Sequence, residues 1–297
     1  MNTHEVAEYL RIKERKVYDL IRQKQIPCTR ASGKWLFPKH LIDKWLARGV
    51  EGAESADDGA EPYTPPPPVI AGSHDPLLDW ALLESNSGLA LLGGGSLDGL
   101  ERFACGEALA CGLHVLDTNT GEYNIAALKN TFGEWPPDDV VLVEWASRKQ
   151  GLILAPGNPK QISGFGDLAK KKSRIVVRQL AAGSRILFEH LANEAGFDEW
   201  DFNINDEIAK NETELALAIR EGRADAGIAI QAVAEQFDLD FLPLWDERFD
   251  ILIRHRDYFE KPFQQLIKLT RTEAFAQRAR DMKGYNISNR GTIHLNG

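Results

Sequence analysis

The chain has 297 residues, of which 43% are hydrophobic and 27% charged, and a net charge of −9; this is the make-up of an ordinary water-soluble protein with room for two or three compact units. No apolar run approaches the ~18 residues of a membrane helix, and the N-terminal stretch lacks the apolar core of a secretory signal. Cys28, Cys105 and Cys111 are odd in number and not spaced as a metal site, so a cytoplasmic protein with reduced cysteines, no metal and no membrane contact is expected.

The charge divides unevenly. Residues 1–48 hold 11 Lys/Arg against 5 Asp/Glu, whereas residues 49–297 hold 24 against 39. A basic head on an acidic body points to a polyanion partner at the N-terminus only. Asn2 and Glu5 have capping-box spacing, and Val6, Ala7 and Leu10 give a short helix its apolar face. Arg11-Ile12-Lys13 is a tight connection. A second helix is predicted over about Glu14–Gln23, with Val17, Leu20 and Ile21 inward. Ile26–Arg30 and Trp35–Phe37 alternate as two short strands around Ser32-Gly33-Lys34, and Pro38 opens a helix through Leu41, Ile42, Trp45 and Leu46. The order is helix-turn-helix, hairpin wing, helix. Its outward residues are Lys13, Arg15, Lys16, Tyr18 and Arg22 near or on the second helix, with Arg30 and Lys34 on the wing. These are the DNA-binding candidates; most such residues touch phosphates, and one or two read bases.

The stretches Glu5-Val6-Ala7-Glu8-Tyr9-Leu10, Val17-Tyr18-Asp19-Leu20-Ile21, Ile26-Pro27, Lys34-Trp35-Leu36-Phe37-Pro38 and Leu41 to Leu46 together resemble the MerR-like winged helix of the excisionase-type DNA-binding family. The resemblance implies that the second helix enters the major groove of double-stranded DNA and the wing rests on the backbone. A head this small is expected to act as one half of a homodimer.

Residues 49–68 read as a linker. Its first half is acidic and rich in small residues, and Pro65 to Pro68 form a stiff run. From residue 69 the pattern alternates between strand and helix. Val69-Ile70-Ala71 ends in Gly72-Ser73, and Asp75-Pro76 then starts a helix through Leu77, Leu78, Trp80, Ala81 and Leu82. Leu89 to Leu92 end in Gly93-Gly94-Gly95-Ser96, with Leu97, Leu100 and Phe103 at helical spacing. As parallel neighbours, these strands would aim two helix N-termini into one crevice at the carboxyl edge of the sheet, which suits a small anion. The glycines are not a dinucleotide fingerprint, because Gly99 falls one residue late for G-x-G-x-x-G.

Further strands are predicted at Leu109–Asp117, Val140–Ser147, Gly151–Pro156, Arg174–Gln179, Ala226–Ile230, Phe241–Leu244 and Asp250–Arg254. Helices are expected from Tyr123, after Gly183-Ser184-Arg185 and over Glu212–Glu221, with a helical C-terminus from about Phe259 to Lys283. The fold class is therefore α/β: a small winged helix-turn-helix domain (1–48), a linker (49–68), and a two-lobed type II periplasmic-binding-protein-like domain (69–297). Lobe I takes about 69–148 and 241–297, and lobe II about 149–240.

Gly72 to Asp79, Gly112-Leu113-His114, Gly121 to Asn124, Gln150-Gly151-Leu152, Gly157-Asn158-Pro159, Arg178-Gln179 with Gly183-Ser184-Arg185, and Ala224 to Ile228 look like the PBP-like domain of the molybdate-binding type found in cytoplasmic regulators. More loosely, Arg178 and Ser184 stand where tungstate-binding proteins meet their oxyanion. The resemblance implies a sensor of a small anionic ligand, molybdate or tungstate, as effector, with no other cofactor. The ligand-binding candidates are Ser73, His74, Asp75, Ser96, His114, Arg178, Ser184, Arg185 and Thr213. Glu247 and Asp250 are acidic candidates whose expected role is packing between the lobes.

No HExxH, G-x-S-x-G or CxxC motif is present, so no enzyme is expected. The reading is a one-component transcriptional regulator. Two rivals stay open: an excisionase-like architectural protein, and an enzyme acting on a cofactor precursor.

Overall fold

The computed structural model describes residues 1–22, 26–31, 34–48, 65–133 and 137–297. They belong to two compact units, Met1–Thr64 and Pro65–Gly297. The expected linker over 49–64 and the hairpin tip at Ser32-Gly33 lie outside the described residues.

The first unit contains α1 (Thr3–Tyr9), α2 (Glu14–Arg22), β1 (Thr29–Ala31), β2 (Lys34–Leu36) and α3 (Lys39–Arg48). The capping box forms: Glu5 N–H donates to the Asn2 side chain and Asn2 N–H to the Glu5 carboxylate, each at 2.9 Å. The strands β1 and β2 pair antiparallel, with Arg30 opposite Trp35. Val6, Ala7, Val17, Ile26, Phe37 and Ile42 form the core. Among the described residues this is a small core of six, and the chain start is tied to the end of β2 by Phe37 N–H donating to Met1 O at 2.7 Å.

The second unit opens with β3 (Val69–Gly72), α4 (Pro76–Glu84), β4 (Ala90–Gly93), α5 (Ser96–Ala104), β5 (Ala110–Leu113) and α6 (Ile125–Phe132). Then follow β6 (Val140–Leu154), α7 (Asp167–Lys170), β7 (Arg174–Arg178), α8 (Gly183–Glu194), β8 (Asn203–Ala209), α9 (Glu212–Arg220), β9 (Ala226–Ile230) and α10 (Gln231–Gln236). It ends with β10 (Asp240–Arg254), α11 (His255–Tyr258), α12 (Lys261–Thr270), α13 (Glu273–Asp281), β11 (Tyr285–Asn286) and β12 (Ile293–Asn296). The strand order is β4-β3-β5-β10-β6-β9-β7-β8, with β11 and β12 also pairing with β6. Pro68 accepts a hydrogen bond from Ala90 N–H, so the sheet unit begins just before residue 69.

The twin turns are where the sequence places them. β3 pairs in parallel with β4, Gly72 opposite Gly93, and α4 and α5 start at the same sheet edge. Two helix-covered cores lie on the two faces of lobe I, one around Ile70, Leu77, Leu78, Phe263 and Phe275 and one around Leu100, Phe103, Leu113 and Leu128. Lobe II repeats the plan around Leu152, Phe165, Phe188 and Phe202 on one face and Val176, Leu215 and Ile219 on the other.

Four expectations are corrected. Val140–Ser147 and Gly151–Pro156 are not separate strands but one, β6; the polar stretch Ser147 to Gln150 stays in the ladder, with Arg148 opposite Glu247. Likewise Phe241–Leu244 and Asp250–Arg254 are the two ends of β10, bent by bulges at Pro243/Trp245 and Phe249/Asp250. The strand expected over Leu109–Asp117 is only Ala110–Leu113. The C-terminus is not helical to its end: β11 and β12 return to β6. The edge strand β8 (NINDEIA) escapes prediction because it is polar and half exposed.

Three glycines let the first lobe close up. A Cβ on Gly99 in α5 would collide with the backbone of Gly72 and Ala71, and one on Gly72 (φ +108°) with the carbonyl of Gly112. A helix thus sits directly on a strand. Backbone cannot yield as a side-chain tip can, so Gly99→Ala should cost at least about 1–3 kcal/mol and lower the Tm of this unit by roughly 5–10 °C. Gly93→Ala meets open space and should shift it by about 1 °C or less; differential scanning calorimetry of the two variants checks the contrast.

Candidate functional site

The carboxyl edge of β3, the crossing strands β6 and β10, and the first turns of α8 and α9 supply a cluster of buried polar side chains where the lobes meet. Arg148 lies at its centre and is 2% exposed. Its guanidinium pairs with Asp75 of lobe I at 2.8 Å and with Glu247 of β10, and it lies 4.5 Å from the centroid of the Phe249 ring. Burial opposes its charge, but Glu247 and Asp75 outweigh burial and raise its pKa. Glu247 accepts from His114 Nδ1 at 2.7 Å. Burial raises the Glu247 pKa, yet Arg148 and His114 pull it below its ordinary value.

Asp75 is fully used. It caps α4 through Leu78 N–H at 2.7 Å and accepts from Trp145 Nε1 at 3.0 Å and from the Tyr285 hydroxyl at 2.5 Å. It is therefore the anchor of Arg148 and not a ligand contact as expected. Tyr285 comes from β11, so the C-terminal return locks the same network. Burial and the Asp75 charge hold the Tyr285 phenol well above its ordinary pKa.

Ser73 and Ser96, at the ends of the two first turns, share a hydrogen bond at 2.7 Å, and Ser96 Oγ accepts from His114 N–H at 3.2 Å. His74 bonds Asp79 through Nε2 at 2.5 Å, and this bond raises its pKa; its Nδ1 is buried without a partner. Arg178 ends β7 at 7% exposure. It donates to Gln179 Oε1 at 3.2 Å and to Lys210 O at 3.1 Å. Among the described residues no carboxylate pairs with it within 4.0 Å, and burial lowers its pKa against the opposing fields of Glu212 and Glu214. Ser184 is buried in the first turn of α8 and lines a small cavity with Arg178.

Arg185 lines the same small cavity as Arg178 and Ser184 and is held by Glu189 at 2.8 Å and Glu199 at 2.5 Å. Thr213 is half-buried at the start of α9, but the side chain that α9 commits to the network is its neighbour Glu212. Glu212 is 4% exposed and its Oε2 takes no hydrogen bond. Burial raises its pKa, while Arg148 and Arg178 pull the other way. Gln150 is 0% exposed, and neither its amide oxygen nor its amide nitrogen has a partner. Sequence reasoning missed Arg148, Gln150 and Glu212. The available signal was a polar triplet, Arg148-Lys149-Gln150, set between two apolar strand runs.

The lobes touch at the mouth. Leu97 N–H, in the first turn of α5, donates to Ala181 O of lobe II at 3.3 Å. Cβ atoms on Gly95 and Gly183 would strike Ala181 and the His114 carbonyl.

In the first unit Lys13, Arg15, Lys16, Tyr18, Arg22 and Lys34 are all exposed. Arg22 lies 3.8 Å from Asp19. Arg30 sits in β1, and its side chain is outside the described residues.

Crossing strands, a buried polar cleft and a helix-turn-helix head define a DNA-binding protein joined to a two-lobed ligand-binding domain of the type II periplasmic-binding kind. Residues 81–271 match the PBP superfamily domain, and the chain belongs to that family. Residues 1–50 match the helix-turn-helix domain. The chain is 27% identical over 304 residues to the uncharacterized protein YvgK of Bacillus subtilis (strain 168), covering 98% of this chain and 96% of that one. Among solved structures it is similar in fold to L-phospholactate-bound PEB3 (TM-score 0.51, 16% identity, 73% of this chain and 98% of that one). It is also similar to PhnD1 from Prochlorococcus marinus (MIT 9301) in complex with methylphosphonate (TM-score 0.50, 12% identity, 74% and 92%).

Removing one member of a buried ion network leaves the others uncompensated, at a cost of about 3–5 kcal/mol. Arg148→Met should therefore unfold the second unit at markedly lower urea than wild type. Asp79→Asn, which alters a partly exposed pair, should change stability by about 1 kcal/mol or less.

Proposed function

We propose that this protein is a one-component transcriptional regulator that binds double-stranded DNA through residues 1–48 and a small anionic ligand between the lobes of its second domain. The observation that carries the ligand half is Arg178: a buried cation at a strand end, beside a helix start, with no carboxylate in pairing distance among the described residues. A buried charge without a partner is costly, and an anion between the lobes would compensate it. That PEB3 and PhnD1 bind L-phospholactate and methylphosphonate supports the reading of a small anion, a class to which molybdate and tungstate belong.

The cationic face of α2 supports the DNA half. The protein acts in the cytoplasm as a homodimer, so that two heads meet two half-sites. Its work is binding, not turnover. Ligand closes the lobes, and the closed state changes the affinity of the paired heads for their operator.

Arg15→Ala or Lys16→Ala should weaken operator binding by ~1–3 kcal/mol where the side chain meets a base, and by less at a phosphate. Binding should fall steeply with salt. If residues 65–297 alone bound duplex DNA as tightly as the whole chain, the DNA assignment would be wrong.

An anion panel (phosphate, methylphosphonate, molybdate, tungstate) is scored by thermal shift. A binder at a hundred times its Kd stabilises by ~2.7 kcal/mol, about 5–10 °C here. Arg178→Ala should remove most of that shift and leave the unliganded Tm nearly unchanged. Linkage requires that a ligand altering operator affinity have its own affinity altered equally by the operator. Equal ligand affinities with and without operator DNA would leave two unrelated functions on one chain.

A further inference from the structure

The cleft holds two buried charges of opposite sign that nothing in the protein neutralises at close range. Arg178 lacks an ion pair within 4.0 Å among the described residues, and Glu212 Oε2 lacks any hydrogen bond. Both come from lobe II, at the end of β7 and the start of α9. Each feels the other's field, yet they do not meet. In β6, two residues on from Arg148, Gln150 has an amide nitrogen and an amide oxygen, both buried and both without partners. The central cation, Arg148, shares its charge between Asp75 and Glu247, and its Nε is one more buried donor without a partner.

The charge of Arg178, which is hydrogen-bonded but has no carboxylate partner among the described residues, and the unmatched atoms of Gln150 and Glu212 ask for opposite things. Arg178 and the Gln150 nitrogen are donors, and the Glu212 carboxylate and the Gln150 oxygen are acceptors. A bare tetraoxyanion is an acceptor on every side. It would satisfy the first pair and press against the second. A ligand that is anionic at one end and carries N–H donors at the other satisfies all four. It must also be small, because the lobes already touch through Leu97 and Ala181.

From this we infer that the ligand is a small aminated anion, a carboxylate, sulfonate or phosphonate bearing an ammonium group, with its anionic end on Arg178 and its ammonium on Glu212 and the Gln150 oxygen. The inference rests on the cleft-binding reading above and narrows its ligand class. Burial raises the pKa of Glu212, so its charge is met either by a cationic group beside it or by a proton on it. The rival explanation is a protonated Glu212 that donates to an oxyanion.

The test is isothermal titration of the full-length protein with matched pairs: glycine and acetate, β-alanine and propionate, taurine and ethanesulfonate, aminomethylphosphonate and methylphosphonate, with molybdate and tungstate alongside. At least one aminated member should bind at least about tenfold more tightly than its deaminated twin, the weight of one charge-assisted hydrogen bond. Glu212→Gln should erase that difference while leaving the twin's affinity unchanged or improved. Gln150→Met, similar in volume, should weaken the aminated member without favouring the twin, and so serves as a second variant should Glu212→Gln fold poorly. Arg178→Ala should abolish both.

The inference is overturned if no aminated member binds, or if each twin binds as well as its partner. It is also overturned if molybdate or tungstate binds and Glu212→Gln leaves that binding intact, because glutamine then stands in for a protonated acid. In those cases loss of binding in Arg178→Ala would still uphold the cleft. If instead a ligand bound and neither Arg178→Ala nor Glu212→Gln changed its affinity, the site would lie elsewhere and the cleft reading would fall as well.

Discussion

A guanidinium buried to 2% exposure is tolerated only where carboxylates meet it with good geometry and their own remaining valences are filled. Arg148 is the group on which the second unit is arranged. One of its carboxylates, Asp75, is fixed because it also caps α4, and the Trp145 indole and Tyr285 hydroxyl fill its remaining valences. The other, Glu247, is fixed because it sits opposite Arg148 in the β6–β10 ladder and accepts from His114. Lobe I, both crossing strands and the C-terminal return are thereby tied to one charge. Asp75 keeps no free valence, whereas Arg148 Nε, the Gln150 amide and Glu212 Oε2 are buried and unmatched, and no carboxylate pairs with Arg178 among the described residues.

The electrostatics of the cleft are local. Residues 49–297 carry 39 acids against 24 bases, which at long range would repel an anion. Within the cleft one cation, Arg148, meets two carboxylates, Asp75 and Glu247, and so offsets only part of their field. Arg178 and Glu212 add one further buried charge of each sign. Net charge thus describes how this domain behaves toward polyanions such as DNA, and says little about a ligand of a few atoms held between its lobes.

How far the sequence could be read depended on whether a residue's role was local. Asp75-Pro76 and Asn2–Glu5 advertise helix starts within four residues, and both starts exist where expected. Gly99 looked like a glycine one place out of a known motif; it is the point where α5 rests on Gly72. The cleft itself was only half legible. Ser73, His74, Ser96, His114, Arg178 and Ser184 follow strand ends, so the turn pattern exposed them. Arg148, Gln150 and Glu212 do not. In β6 the polar stretch around Arg148 interrupts an apolar run and reads as a break, whereas the strand continues and buries those side chains against charges far away in the chain. Asp75 was read correctly as a cap, but the same oxygens also serve Trp145, Arg148 and Tyr285, which no local pattern discloses. Thr213 stands beside a good turn, and the side chain buried there is that of its neighbour Glu212.

The crossing strands have a consequence for how such a protein can be taken apart. β6 and β10 each run fifteen residues and are paired with one another from Arg254 opposite Val140 in one lobe to Asp240 opposite Leu154 in the other. Neither lobe owns its central strands. A cut placed between the lobes would leave each half with an open sheet edge where its neighbour's continuation had been, and such edges invite pairing with other chains. The two lobes are therefore a single cooperative element in which the melting of either frays the strands of both. Shuffling one lobe for another by recombination would require exchanging half of each long strand in register. The DNA-binding head and the ligand-binding domain share no strand among the described residues, so recombination between residues 64 and 65 would divide no ladder.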